Sequence, residues 1–181
     1  MEKELADLKE KMINLMNGYR DGSITDDNST PYINDIILAG AEVYKNEQIN
    51  LYAPLNHGEA MAYETDGEYF IPLFTSMENH EGIEEYRPVS LKEVCSYVYD
   101  NQMNYELLDD PEYCLNHGIS YPELMEYAKK NPKYGGIVLD PGTKYPFGFE
   151  GWTLKALIFK GMGVDRVHAV DGETGETVHE I

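Results

Sequence analysis

Basic residues are scarce in this sequence of 181 residues. Lys and Arg together number 14, against 33 Asp and Glu, which gives a formal net charge of −19 with histidine neutral. Binding to nucleic acid or to an anionic membrane begins with the neutralisation of phosphates by Lys and Arg. The charge therefore argues against both kinds of partner. It favours a basic partner, which an acidic surface attracts rapidly at low salt.

Cysteines and long apolar runs are also few. Cys95 and Cys114 are the only cysteines and neither belongs to a C-x-x-C motif, so we predict two buried, reduced thiols. Two acids stand among the first four residues, and no apolar segment typical of a secretion signal follows them. The longest uncharged apolar run near the start, residues 36–41, is far shorter than the roughly 20 residues that span a bilayer. These absences predict a cytoplasmic protein that does not enter membranes.

Apolar residues are plentiful enough for a folded core, at 42% hydrophobic and 12% aromatic content. Their helical spacing between Leu5 and Tyr19 predicts an amphipathic helix over residues 2–17, which Gly18 ends. A polar loop follows up to residue 30. We therefore divide the chain into residues 1–30, which hold this helix and loop, and residues 31–181, which form the main domain. The apolar stripe of the helix fits a core face, and its alternative role is the interface of a homo-oligomer.

The rest of the chain predicts an α+β fold, with a mainly antiparallel sheet, helices packed on one face, and a single domain. Short β-prone runs occur at residues 43–44, 49–53, 60–64, 69–74 and 137–139, and a closing hairpin is predicted within residues 166–181. Asp66 and Gly67 predict a tight hairpin turn. Helices are predicted over 33–41 and 151–159, and Ser/Thr-x-x-Glu boxes predict helix starts near residues 76, 91 and 121. Residues 104–118 are predicted to be irregular or helical.

Several arrangements with chemical potential are incomplete. The segment 80–84 resembles a zinc-protease helix but lacks its second histidine. Cys114 and His117 lie three residues apart, with no third group to orient a base. His168 and His179 could face each other across the closing hairpin, but two histidines make an incomplete metal site. We therefore predict no catalytic residue, no metal site and no cofactor.

Three segments, in order, resemble the N-terminal domain of the SseB family over roughly residues 35–160. Residues 42–44 and 51–55 resemble its first strands, residues 66–76 its D-G … I-P-x-F-T-S turn, and residues 136–142 its G-I-V-L-N-P turn. The resemblance implies a small α+β module without established catalytic residues, linked to bacterial secretion or stress. Asp140 replaces the family's Asn, which keeps the turn-forming capacity and adds a charge. We expect no counterpart here of the second domain found in longer family members.

Two of these segments place polar residues where predicted strands end. Thr75 and Ser76 follow one strand, and Asp140, Pro141 and Gly142 follow another. If the strands are neighbours, these five residues meet at one edge of the sheet and form a shallow binding pocket. Hydroxyls and free amides at a helix start suit an anion or a peptide carboxylate. The alternative is that the hydroxyls cap the helix and the proline shapes the turn.

Two functions from different classes are consistent with these residues. The first is a non-enzymatic protein-interaction module whose acidic surface and 15 tyrosines engage a basic protein, such as a toxin or a secretion-associated client. The second is a small hydrolase or transferase, with Asp140 and either His117 or His57 in acid–base roles.

Overall fold

The computed structural model describes residues 2–77, 83 and 85–181. The helix predicted to begin near residue 76, with its capping Glu78, and most of the 80–84 motif lie outside the described residues.

Six helices and nine strands occur in the described part of the chain. The helices are α1 (Lys3–Asp21), α2 (Thr30–Lys45), α3 (Leu91–Leu108), α4 (Pro111–Asn116), α5 (Tyr121–Lys130) and α6 (Gly151–Gly161). The strands are β1 (Leu51–Asn56), β2 (Glu59–Ala60), β3 (Tyr63–Thr65), β4 (Glu68–Leu73), β5 (Glu85–Val89), β6 (Tyr134–Leu139), β7 (Phe147–Glu150), β8 (His168–Val170) and β9 (Thr177–Glu180).

The strands form one four-stranded and one three-stranded sheet, with a separate two-stranded hairpin. Their orders are β3-β4-β6-β7, β2-β1-β5 and β8-β9. An antiparallel bridge between Tyr52 and Phe74 joins the first two sheets. Every strand pair is antiparallel except β4 with β6. The predicted α+β class, with a mainly antiparallel sheet and helices on one face, is confirmed.

The helices share one hydrophobic core with the sheet. α3 and α6 lie against β6, α2 packs on α6, and α1 packs on α2. The apolar stripe of α1, which includes Leu5, Leu8 and Met12, is buried in the same cluster as Ile137 of β6. The stripe is therefore a core face, already covered within the chain.

Two helix boundaries differ from the sequence predictions. α1 continues through Gly18 to Asp21 and is capped by Gly22, which has φ +78°. A Cβ on Gly18 would overlap Ile24, so Gly18 permits close packing rather than ending the helix. The predicted strand at Val43 and Tyr44 is wrong, because both residues belong to α2 and are buried in the core. Burial there outweighs their intrinsic preference for strands.

The other local predictions are confirmed in part. The strand predicted over residues 60–64 is divided between β2 and β3, because Met61 and Ala62 belong to neither. Asp66 and Gly67 have φ +52° and +81° and join β3 to β4 in a two-residue hairpin. The helix starts near residues 91 and 121 are confirmed, and residues 104–118 contain the end of α3 and all of α4. No helix in the described ranges is long and apolar enough to cross a bilayer.

The closing hairpin is present, but its histidines do not face each other. His168 pairs with Glu180, and the ring of His179 stacks on Trp152 with centroids 5.5 Å apart. Across the described residues, no group of three His, Cys, Asp or Glu side chains is arranged to hold a metal ion.

Candidate functional site

The two predicted bends lie side by side because β4 and β6 are parallel neighbours. Leu73 pairs with Leu139 in the register of these strands. The backbone N–H of Asp140 then donates to the carbonyl oxygen of Leu73 at 2.8 Å. Parallel strands bring their carboxyl ends to one edge of a sheet, so both bends open at the same edge.

Asp140 and Thr75 are joined directly across this edge. The backbone N–H of Thr75 donates to Asp140 Oδ1 at 2.8 Å, and its hydroxyl donates to Asp140 Oδ2 at 2.7 Å. Both residues are buried, with 5% of Thr75 and 8% of Asp140 exposed. Each carboxylate oxygen therefore has a hydrogen bond, and the Thr75 hydroxyl is committed to Asp140. Among the described residues of this bend, the Ser76 hydroxyl is the one left for a ligand.

Pro141 and Gly142 shape the turn that follows. The N–H of Thr143 donates to the carbonyl oxygen of Asp140 at 3.2 Å, and Gly142 has φ +74°, as the predicted turn requires. The Thr143 hydroxyl also donates to the Asp140 carbonyl, at 2.7 Å. Pro141 and Gly142 do not line the cavity described next, so the structure gives them a conformational role in the turn.

A cavity of about 220 Å³ opens beside the Thr75–Asp140 pair. We call it the strand-end cleft. Its walls come from α1, from the two bends and from the segment before β7, and they comprise Lys9, Met12, Ile13, Thr75, Ser76, Asp140, Thr143, Lys144 and Tyr145. A second cavity of about 600 Å³ shares Thr75 and Ser76 and extends towards the N-terminus of α1.

Sequence reasoning missed three cations at this cleft. Lys9 and Lys144 line it, and Lys144 Nζ and the guanidinium carbon of Arg20 each lie 5.1 Å from the ring centroid of Tyr145. Arg20 Nη2 donates to the carbonyl oxygen of Lys144, which ties α1 to the segment. A hydrogen bond and the charge of Lys144, with the charge of Arg20, lower the pKa of Tyr145. Arg20 and Lys144 are 124 positions apart in the sequence, so only the fold brings them together.

The acid–base pairs suggested for a hydrolase are not assembled. His57 lies in the turn between β1 and β2 with φ +51°, and the ring of His117 stacks on Tyr113 at 3.9 Å. Neither histidine lines the cleft that contains Asp140, and nor does any other described histidine. The incomplete Cys114–His117 arrangement is not a catalytic pair either, since the Cys114 thiol donates to the Leu107 carbonyl.

A second candidate site lies on α4 and α5. Residues 93–128 contain eight acidic residues, no Lys or Arg, and six of the 15 tyrosines. On α4 and α5, large apolar side chains are exposed at Tyr113 (44%), Leu115 (80%) and Met125 (43%). All eight acids of the stretch are exposed, and five of them lie on these two helices or directly before α4: Asp109, Asp110, Glu112, Glu123 and Glu126. We call these eight residues the α4–α5 surface.

Two polar contacts hold the α4–α5 surface in place. The Asp110 side chain accepts from the backbone N–H of Tyr113 at 2.9 Å and caps α4. The Tyr121 hydroxyl donates to the Leu108 carbonyl at 3.2 Å and ties α5 to the end of α3. Among the acids, Glu126 is paired with Lys129 and Lys130, while Asp109, Glu112 and Glu123 form no ion pair with a described residue.

Comparisons with protein-family models, with curated proteins and with solved structures found no match. The resemblance to the SseB family therefore depends on the three segments of this sequence alone. In the first of them, residues 42–44 belong to α2 and not to the strand that the resemblance implies.

Proposed function

We propose that this chain is a non-enzymatic, cytoplasmic protein-interaction module of the SseB N-terminal type, which binds a basic protein through the α4–α5 surface. The proposal depends on the exposure of Leu115, whose side chain is 80% exposed. The helix that carries Leu115 is flanked by acids and has no Lys or Arg near it in the sequence. An exposed apolar residue gains free energy when a partner covers it.

The composition of the α4–α5 surface matches that of protein interfaces. Tyrosine and methionine supply contact area at low entropic cost, and they are enriched where proteins meet. Tyr113 is two residues before Leu115 on α4, and Met125 is on α5, the next helix. Both side chains are about two-fifths exposed. Such residues form the apolar centre, and the acids form a charged rim.

The acidic rim defines the chemistry of the partner. Charges at the rim of an interface act mainly on the association rate, and they are screened by salt. Asp109, Glu112 and Glu123 have no ion pair with a described residue, so they are available to Lys and Arg of a partner. The partner is thus a protein with an apolar contact flanked by basic residues.

A binding function is also supported over catalysis by the state of Asp140. Both oxygens of its carboxylate accept hydrogen bonds from Thr75, and no described histidine lines the same cleft. General acid–base catalysis needs a proton donor or acceptor within reach of a substrate. The hydrolase hypothesis assigns the second role to a histidine, and no described histidine lines this cleft.

The test compares two triple variants of equal net charge. One is Asp109→Asn/Glu112→Gln/Glu123→Gln, and its control is Asp165→Asn/Glu173→Gln/Glu176→Gln in the segment around the closing hairpin. Each protein captures partners from the source cell lysate at ~50 mM and ~500 mM salt. Captured proteins are identified, and the affinity of each purified partner is then measured.

We expect a basic partner that binds the control variant as tightly as it binds the unmodified protein. The same partner is expected to bind the α4–α5 variant ~tenfold more weakly or worse, and to lose affinity for the unmodified protein at high salt. Leu115→Ala is expected to weaken binding at both salt concentrations, because it removes apolar contact rather than charge. Equal weakening in both triple variants would show that net charge alone attracts the partner, and the proposed surface would then be wrong.

A further inference from the structure

We propose that the strand-end cleft binds a phosphate group, either inorganic phosphate or a small phosphate monoester. The binding groups that line the cleft are the ammonium groups of Lys9 and Lys144 and the hydroxyl of Ser76. The guanidinium of Arg20 lies beside the cleft, over the ring of Tyr145, and adds positive charge. This site lies on α1 and the strand ends, and it does not depend on the binding function proposed for the α4–α5 surface.

The distribution of cations singles out this cleft. Eight of the 14 cations form ion pairs with described carboxylates. Three of the remaining six, Lys9, Arg20 and Lys144, lie at or beside the strand-end cleft without such a pair. In a chain of net charge −19, three cations without carboxylate partners in one place indicate a site for an external anion.

Two of the three cations, Arg20 and Lys144, have contacts that restrict their positions. Arg20 donates to the backbone carbonyl of Lys144, which fixes the segment before β7 against α1. Arg20 and Lys144 both lie over the ring of Tyr145 at 5.1 Å, within the range of cation–π attraction. Lys9 is half-buried on α1, one turn before the buried Met12 in the cleft wall. Preorganised cations lose less entropy when an anion binds.

The carboxylate of Asp140 lies in the same cleft and repels an anion. Its two oxygens are occupied by the N–H and the hydroxyl of Thr75, so they are turned into the bend. The three cations exceed this single negative charge by two. A phosphate monoester carries about two negative charges at neutral pH, which matches this excess.

The remaining features fit the size and shape of phosphate. The cleft volume of about 220 Å³ is below the range of about 300–1,000 Å³ that is usual for drug-sized ligands. The Ser76 hydroxyl lines the cleft and has no hydrogen-bond partner among the described residues, so it is available as a donor. Phosphate offers several acceptor oxygens to groups that converge from different directions.

The test is a titration of the full chain with inorganic phosphate at low ionic strength, followed by calorimetry and by the backbone amide shifts of Ser76 and Tyr145. Lys9→Gln/Lys144→Gln is compared with the control Lys129→Gln/Lys130→Gln, which removes the same charge from α5. Lys144→Gln alone serves as a second variant, because Lys144 is exposed and its loss leaves the core intact. Melting curves establish that each variant is folded.

We expect saturable phosphate binding that weakens about tenfold or more in Lys9→Gln/Lys144→Gln and is unchanged in the control. The amide shifts of Ser76 and Tyr145 are expected to move with the same saturation curve. Absence of saturation up to ~20 mM phosphate at low salt overturns the proposal, as does equal weakening in the control. Tighter binding of succinate than of phosphate would show a carboxylate site and overturn the phosphate assignment.

Discussion

Removal of the Asp140 side chain is expected to destabilise the protein strongly, since this residue joins the two strand ends. In Asp140→Ala, the buried N–H of Thr75 loses its acceptor and the Thr75 hydroxyl loses its partner. A hydrogen bond to a charged group contributes about 1.5–3 kcal/mol, so the loss of both costs about 3 kcal/mol or more. Asp140 also has φ +48°, where Asp is tolerated and Ala adds about 1 kcal/mol of strain. The free energy of unfolding of Asp140→Ala is therefore expected to fall by about 4 kcal/mol in total.

Conservative variants at the same place separate the contributions. Asp140→Asn keeps the tolerance for positive φ, its Oδ1 accepts from the Thr75 N–H, and its Nδ2 donates to the Thr75 hydroxyl. We expect a loss of about 1 kcal/mol from the weaker neutral hydrogen bonds. Thr75→Val removes only the hydroxyl and is expected to cost about 1.5 kcal/mol. The double variant Asp140→Ala/Thr75→Val is expected to lose less than the sum of its single variants, because they share one interaction.

Urea unfolding followed by circular dichroism and by the fluorescence of the single tryptophan, Trp152, measures these losses. The reasoning is refuted if Asp140→Ala loses less than ~1 kcal/mol. It is also refuted if Asp140→Asn is as destabilised as Asp140→Ala, because the backbone strain and the geometry of the bonds would then be irrelevant.

Three further predictions follow from other parts of the fold. Gly136→Ala is expected to destabilise the protein by about 3 kcal/mol, because its Cβ would overlap the backbone carbonyl of the opposite strand. The matched control Gly148→Ala is expected to be tolerated, because its Cβ would lie 3.9 Å from the nearest atom. Urea unfolding of the two variants checks both expectations. Burial raises the pKa of the Cys95 thiol, so this thiol is expected not to react with a disulfide reagent at pH 8 in the native protein, and to react in urea. Lys144→Gln is expected to raise the pKa of Tyr145 back towards 10.0. The difference between the ultraviolet titration curves of the variant and the unmodified protein measures this shift. Identical curves would contradict the placement of Lys144 beside Tyr145.

The strand ends could be predicted from the sequence because their signals are local. Asp140, Pro141 and Gly142 specify a turn by their own backbone preferences, and the apolar run of residues 137–139 specifies a buried strand. Asp66 and Gly67 specify a hairpin in the same way. The pairing of β4 with β6 could only be assumed from the sequence, since no local sequence signal indicates which strands are neighbours in a sheet.

Features that depend on distant residues could not be predicted. Val43 and Tyr44 are β-prone locally, but they continue α2 because the helix buries them against the rest of the core. The capture of the Thr75 hydroxyl by Asp140 depends on strand order, so the sequence indicated an exposed hydroxyl where the structure has a buried one. Lys144 is more than 100 positions away from Lys9 and Arg20, and no spacing rule joins it to them. The exposed state of Leu115 is likewise a property of the folded surface.

Site-specific photo-crosslinking tests the central claim, partner binding at the α4–α5 surface, most directly. A photoreactive phenylalanine analogue replaces Leu115 in one protein and Met162, which is 66% exposed after α6, in the control. We expect the probe at position 115 to crosslink a protein with more Lys and Arg than Asp and Glu, and the probe at position 162 not to crosslink it. Crosslinking of the same proteins from both positions, or of none from position 115, would contradict this expectation.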